Sequence, residues 1–320
     1  MLDSILLTGA TGFVGQAVVR RLVSDGCLLT AVLRHNSSAI DKRVITSQIE
    51  SLDGDTCWED SLSGINVVIH CAARVHVMGE EVADPIAAFR KVNVEGTFNL
   101  ARQAAKAGVR RFIYISSIKV NGESTSPGTR FTAFDIPAPV DPYGVSKMEA
   151  ERELQALAMQ TDMELVIIRP VLVYGPGVKA NFLNMLSWLE KGIPLPLGAI
   201  NNRRSLVALE NLVDLISICI SHPAAANQVF LVSDGDDVST TQLLQHASKF
   251  LSKPSLLVPV PSALLSAICY VFGRRSFAQR LCGSLQVDIS HTRDLLGWKP
   301  PVSLQTALHE TVKYYLESKK

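Results

Sequence analysis

The sequence predicts an α/β fold: a doubly wound parallel sheet with helices on both faces and a smaller, interleaved C-terminal lobe. Three observations predict it. The chain opens on an apolar strand that runs through a glycine-rich turn into a helix. Its first half then alternates apolar runs of strand length with longer runs of helical period. After Pro170 proline and glycine punctuate shorter elements, as in Tyr174-Gly175-Pro176-Gly177 and Gly192-Ile193-Pro194-Leu195-Pro196-Leu197-Gly198.

Ile5, Leu6 and Leu7 place the first strand at 4–7. Gly9, Gly12 and Gly15 follow in Thr8-Gly9-Ala10-Thr11-Gly12-Phe13-Val14-Gly15, and Ala17, Val18, Val19, Leu22 and Val23 recur at helical period over 12–24. Glycines at such a turn keep side chains out of the way of a phosphate, which the unsatisfied helix N–H groups and the positive end of the helix dipole attract. Further strands are expected at 28–33, 67–70, 112–115 and 165–168, and further helices at 85–108 and 145–160. Near-continuous apolar strands belong to a parallel sheet covered on both faces, which binds ligands beyond the carboxyl ends of its strands. Thr8, Arg34, Cys71-Ala72-Ala73, Ser116-Ser117 and Arg169-Pro170 follow the strands and are expected to line one cleft. The expected division is a main domain over 1–170 and a lobe over 171–320, with 229–232 as a candidate strand returned to the main sheet.

The 320 residues, 47% hydrophobic and 19% charged, suit a globular protein able to bury a large core. The formal net charge of +1 argues against a nucleic-acid or anionic-membrane binder held by bulk charge. Six scattered cysteines show no metal-ligand spacing, so no metal is expected. Their apolar surroundings suit reduced, buried thiols in a cytoplasmic protein. The apolar stretch 255–272, interrupted by Pro259 and Pro261, is too short for a membrane span; a buried helix is expected there, an interfacial one being the alternative.

Tyr143-Gly144-Val145-Ser146-Lys147 puts a tyrosine four residues before a lysine, on one face of a helix. A neighbouring ammonium lowers a phenol's pKa, so the pair can exchange protons with a hydroxyl or ketone. The same spacing also occurs on solvated helix faces. Ser117, just past the strand at 112–115, can donate to the same oxygen.

In this order, Thr-Gly-x-x-Gly-x-x-Gly, Ser-Ser and Tyr-x-x-x-Lys resemble the short-chain dehydrogenase/reductase superfamily, in its extended, nucleotide-sugar-modifying branch. Asn93-Val94-Glu95-Gly96-Thr97, Arg169-Pro170, Val173-Tyr174-Gly175-Pro176-Gly177 and Leu296-Gly297-Trp298-Lys299-Pro300 extend the resemblance over essentially the whole chain. It implies a Rossmann-type dinucleotide-binding domain and a substrate-binding lobe. Tyr143 would be the acid/base, Lys147 would lower its pKa and hold the nicotinamide ribose, and Ser117 would orient the sugar C4 oxygen. Ser117 is chosen over Ser116 because it lies five residues before Gly122, as in the family's pattern. Cofactor contacts are implied for Gly9, Thr11, Gly12, Phe13, Val14, Gly15, Arg34, Ala72, Ala73, Asn93, Tyr143, Lys147 and Pro170. Substrate contacts are implied for Lys119, Asn181, Phe182, Arg204 and Arg280.

The second strand ends in Leu33-Arg34-His35, with no acid until Asp41. Arg34 suits a 2′-phosphate, so NADP is favoured over NAD. Ser117-Ile118-Lys119-Val120 lacks the acidic pair of dehydratases. The segment 116–123 resembles a subgroup of bacterial O-antigen enzymes. The first reading is therefore a reductase of a UDP-2-acetamido-2,6-dideoxy-4-hexulose, giving a UDP-N-acetylquinovosamine-type product for surface polysaccharide. The alternatives are a UDP-glucose or UDP-N-acetylglucosamine 4-epimerase with retained NAD, a lipid-linked sugar epimerase, and a non-catalytic dinucleotide-sensing module. The expected partners are a UDP-sugar and a second copy of the chain, packed through the alanine-rich helices at 85–108 and 145–160, with no nucleic acid and no firm membrane association.

Overall fold

The computed structural model describes residues 3–35, 37–38, 40–75, 84–272 and 275–319. β1 (Ser4–Thr8) passes through the glycine turn into α1 (Phe13–Ser24), followed by β2 (Leu28–Leu33), β3 (Ile45–Gln48), the short α2 (Glu59–Leu62) and β4 (Val67–His70). Next come α3 (Pro85–Arg90), a π-helical segment Lys91–Gly96, α4 (Thr97–Lys106), β5 (Arg111–Ile115), α5 (Pro142–Ala158) and β6 (Glu164–Pro170). The second half contributes β7 (Leu172–Tyr174), α6 (Ala180–Glu190), β8 (Arg204–Ala208), α7 (Leu209–Ser221), β9 (Gln228–Val232), β10 (Asp237–Val238), α8 (Thr240–Phe250), α9 (Ser262–Val271), α10 (Arg275–Cys282), α11 (Ser290–Leu296) and α12 (Leu304–Glu317).

Seven strands form one sheet in the order β3-β2-β1-β4-β5-β6-β9, every pairing parallel. Chain direction across the sheet reverses between β1 and β4, which opens the crevice where doubly wound folds bind ligands. The apolar runs explain the layers: β1, β4 and β5 are buried on both faces. Val18 and Leu22 of α1 and Leu212, Leu215 and Ile216 of α7 cover one face. Leu100 and Ala104 of α4, Leu154 of α5 and Trp58 cover the other. The smaller lobe carries the sheet β10-β8-β7, with a core of Tyr174, Phe182, Leu186, Leu244 and Leu308. Because α7 and β9 return to the main layers, the two lobes interleave.

Four expectations are corrected. The short edge strand β3 was not expected, because Ile45-Thr46-Ser47-Gln48 has one strongly apolar residue and little burial to write a periodic signal. The single helix at 85–108 is α3, a π segment and α4. The helix within 255–272, expected buried, is α9, which has no buried residue. Cys219 is buried but Cys57 is exposed, so burial of the thiols is not uniform. Among the described residues no helix is long and apolar enough to cross a membrane. Ala101, Ala104 and Ala150 pack into the chain's own core.

Candidate active site

The glycine turn is built as a cradle. Gly9 has φ +73°, and a Cβ on it would stand 2.7 Å from the Ala72 nitrogen. A Cβ on Gly15 would stand 2.0 Å from the Gly9 carbonyl oxygen, so the first turn of α1 lies too close to the glycine turn for any side chain. Gly12 is the N-cap of α1 and no side chain caps the helix. The first N–H groups of α1 and its positive dipole end therefore face the crevice free of side-chain competition, which fits a dinucleotide pyrophosphate. The Ala72 N–H donates to Thr8 Oγ1 at 3.3 Å, which draws the Ala72-Ala73 loop against the turn.

Beneath it lies a buried polar row. His70, fully buried, shares hydrogen bonds with Thr8 Oγ1 at 2.7 Å and Thr97 Oγ1 at 2.9 Å. Burial, and then the Lys147 charge, depress the His70 pKa to about 3, so the ring is neutral.

Asn93 is 1% exposed and lies in the π segment. Its Oδ1 accepts from the Arg74 N–H at 2.8 Å, and its Nδ2 donates to the Arg74 carbonyl and to Ser146 Oγ, both at 3.0 Å. It ties the loop after β4 to α5 at Ser146, whose Oγ donates to the Tyr143 carbonyl three residues earlier at 2.8 Å.

Asp141 caps α5 by accepting from the Gly144 N–H at 2.7 Å. Gly144 lets the first turn of α5 rest on the loop after β5, since a Cβ there would stand 2.8 Å from the Lys119 carbonyl. Ser117, half-buried, caps the short turn Ile118–Val120. Lys147 is 1% exposed; its Nζ donates to the Ile115 carbonyl at 2.7 Å and sits 4.3 Å from the Tyr114 ring centre. Ser117, Tyr143 and Lys147 are thus carried to one end of β5. The Tyr143 ring meets Phe89 edge-on at 6.0 Å.

The Tyr143 phenol is raised above its ordinary value, first by burial and then by the Asp141 charge. The Lys147 ammonium donates to the Ile115 carbonyl and is itself pushed down to about 7, first by burial, against the Glu151 charge.

With this geometry in place the relatives are informative. The sequence model of the NAD dependent epimerase/dehydratase family matches residues 5–233. The chain belongs to this family. It is 49% identical over 99% of its length, and 97% of the relative, to a UDP-glucose 4-epimerase of Vibrio cholerae. It is 27% identical over its whole length, and 98% of the relative, to the N-acetyl-alpha-D-glucosaminyl-diphospho-ditrans,octacis-undecaprenol 4-epimerase of Escherichia coli O157:H7. In fold it matches the UDP-glucuronic acid 4-epimerase of Bacillus cereus solved with NAD, with a TM-score of 0.81 at 19% identity, covering 99% and 100% of the two chains.

For this epimerase/dehydratase-family enzyme, the structure also separates cleft residues from supports. Arg169, expected in the cleft, is buried instead in an ion pair with Glu151 at 2.5 Å. Glu151 accepts from Ser116 Oγ at 2.5 Å, and Arg169 Nη1 donates to Asn121 Oδ1 at 3.0 Å. This network clamps α5 to the ends of β5 and β6. Sequence reasoning missed Glu151, although Tyr143, Lys147 and Glu151 fall at i, i+4 and i+8 on one face of α5.

Lys119 is held by Asp141 and, at 3.4 Å, by Glu123. Phe182 gives its ring to the lobe's core, stacked on Tyr174 at 5.7 Å, while Asn181 is exposed beside it. The half-buried Arg204 donates to the Arg280 and Gly283 carbonyls, each at 3.2 Å, so Arg280 meets it through its backbone. Pro170 is buried at the end of β6. Arg34 is exposed just past β2. A cavity of about 510 Å³ beside the glycine turn is lined by Ala10, Gln16, Val19, Arg20, Ser38, Ile40, Asp41 and Lys42. Asp41 is spent on Arg43 at 2.7 Å, which holds its carboxyl down to about 2.

Proposed function

We propose that this enzyme epimerises C4 of a UDP-hexose of the UDP-glucose or UDP-N-acetylglucosamine type, with NAD retained through the cycle. The observation that carries the reading is the 49% identity, over 99% of the chain, to a UDP-glucose 4-epimerase. The grouping of Ser117, Tyr143 and Lys147 at the end of β5 supports it.

The glycine cradle, Ala72 and Ala73 would hold the dinucleotide, which would supply hydride acceptance and return at C4. Tyr143 takes the C4 hydroxyl proton as the alcohol is oxidised and returns a proton to the ketone oxygen as it is reduced. Ser117 Oγ donates a hydrogen bond to that oxygen. The Lys147 ammonium stabilises the phenolate when it forms. Arg204, Asn181, Lys119 and Arg280 are assigned to the substrate diphosphate and sugar, where Arg204 offers a paired donor fork. Asn93 positions the Arg74 loop and α5 around the same crevice.

A single-step NADPH-dependent reduction of a UDP-4-keto sugar is the second reading. It is favoured by the exposed Arg34, by Arg20 and Lys42 in the adjoining cavity, and by the commitment of Asp41 to Arg43. A neutral Tyr143 phenol also suits donation to a ketone. Purified enzyme is incubated with UDP-glucose and with UDP-N-acetylglucosamine without added dinucleotide, and its bound nucleotide is identified by mass spectrometry. C4 epimers formed with co-purified NAD support the proposal. No epimer, together with NADPH consumption on a 4-keto sugar, overturns it for the reductase. Tyr143→Phe is expected to lose turnover by at least 10²-fold while keeping dinucleotide binding. Dimerisation through α4 and α5 is tested by light scattering, where a monomer mass rejects it.

A further inference from the structure

The helix α9 presents the wrong face to the outside for a protein surrounded only by water. Along it Ala263, Leu264, Ala267, Ile268 and Val271 are exposed, and Phe272 follows directly. These positions recur at helical spacing and form one continuous stripe. Leu264, Ile268, Val271 and Phe272 are 53%, 45%, 79% and 74% exposed. Ser266 and Cys269 are half-buried on the opposite side, beside Leu265, which packs toward the small lobe's core. An ordinary surface helix has the reverse arrangement. Leu256 and Val258, each 47% exposed, flank the stripe on the segment leading into α9. That segment is bridged to the main body of the lobe at Leu195–Leu257 and Ala199–Pro261.

The chain segment that carries this stripe has one-sided charge. From residue 238 to residue 287 the chain carries no Asp or Glu, while Lys249, Lys253, Arg274, Arg275 and Arg280 all lie in that stretch. The whole protein has a net charge of +1, so the asymmetry is local. An apolar helix face set in a purely basic segment is complementary to an anionic bilayer, whose headgroups attract cations while its acyl boundary accepts apolar side chains. A ten-residue helix spans about 15 Å, half a bilayer core, so it can lie in the interface but cannot cross it. A second copy is disfavoured as the occupant, because stacking two such segments brings like charges together.

We propose that α9 and the basic chain segment that flanks it form a reversible docking surface for an anionic lipid bilayer. The docking brings the substrate lobe to the membrane, since α9 packs on α10, whose Arg280 carbonyl accepts from Arg204. It does not depend on which C4 reaction the enzyme performs.

The test is flotation of the full-length protein with vesicles of phosphatidylcholine alone and of phosphatidylcholine with phosphatidylglycerol. Binding is expected only to the anionic vesicles and is expected to weaken as salt is raised. Leu264→Glu with Ile268→Glu is expected to reduce vesicle partitioning by roughly tenfold or more, because two apolar side chains leave the interface. Lys253→Glu alone, away from the stripe, is expected to weaken binding and its salt dependence without removing it. Circular dichroism melts and turnover of a soluble UDP-sugar report whether the variants remain folded. Failure of the wild-type protein to float with anionic vesicles overturns the proposal, as does binding that the double variant leaves unchanged. A dimer mass by light scattering that the double variant converts to monomer, with no flotation, assigns the face to a second copy instead.

Discussion

His70 is a buried neutral imidazole, and its neutrality makes folding pH-dependent in a calculable way. Its ordinary value of 6.5 falls to about 3 in the fold, because burial between Thr8 and Thr97, with Lys147 nearby, penalises the charged form. Between these values the unfolded chain binds a proton that the native chain does not. His70 therefore favours the fold fully above pH 6.5, and that contribution is lost as pH falls toward about 3. The complete difference corresponds to about 5 kcal/mol at about 1.4 kcal/mol per pKa unit. Between pH 7.5 and pH 4.5 the loss from this group is about 2.6 kcal/mol. The perturbation is His70→Gln, which keeps a donor and an acceptor for the two threonines but does not titrate. Urea unfolding of both proteins at both pH values gives four free energies. Carboxylates titrate alike in both proteins and cancel in the difference between the two pH losses. The wild-type protein is expected to lose about 2–3 kcal/mol more than the variant. Equal losses would refute the reasoning and place the His70 ring in contact with solvent or with an anion.

Gly15→Ala drives a methyl into the Gly9 carbonyl at 2.0 Å, so it is expected to lower the melting temperature and weaken dinucleotide binding, read by calorimetric titration. The overpacking cost is about 1–3 kcal/mol. Glu151→Gln leaves the Arg169 charge buried without its partner and is expected to cost about 3–5 kcal/mol by urea unfolding. Replacing both, with Glu151→Gln and Arg169→Met, is expected to cost less than Arg169→Met and Glu151→Gln summed, which a double-mutant cycle measures.

Residues whose role lies in their own local pattern were legible in the sequence. The apolar strand, the spaced glycines and the helical period that follows are chemically constrained within about twenty positions, and the fold places each where its pattern implies. Tyr143 and Lys147 were legible as a pair because one helix carries both. Residues whose role depends on which strands become neighbours were not. Arg169 reads from sequence as a polar residue at a strand end, facing the cleft. Only the adjacency of β5 and β6, with α5 crossing them, reveals that Glu151 lies beneath it. The anchor of Lys147 was hidden for a related reason. Spacing reports that a lysine is near, but not that the Ile115 carbonyl holds its ammonium.

The π segment shows why the helix at 85–108 could not be read as one element. Its apolar residues satisfy an uninterrupted helical period, and no proline or glycine pair marks a break before Gly96. What selects the wider turn is long-range. Asn93 must meet three partners at once: both backbone groups of Arg74, after β4, and Ser146 on α5. Gly96 must come within contact of the Leu52 backbone, where a Cβ would stand at 2.9 Å. A regular helix advances each residue by a fixed angle, whereas a π turn shifts the phase of everything that follows it. The shift lets Asn93 reach Arg74 and Ser146 while Leu100, Ala101 and Ala104 of α4 still face the core. A buried asparagine with unmet hydrogen bonds costs about 1–3 kcal/mol for each group, enough to favour an irregular turn that satisfies them. The irregularity is local, but its cause lies on two elements the sequence places at distances of 19 and 53 residues.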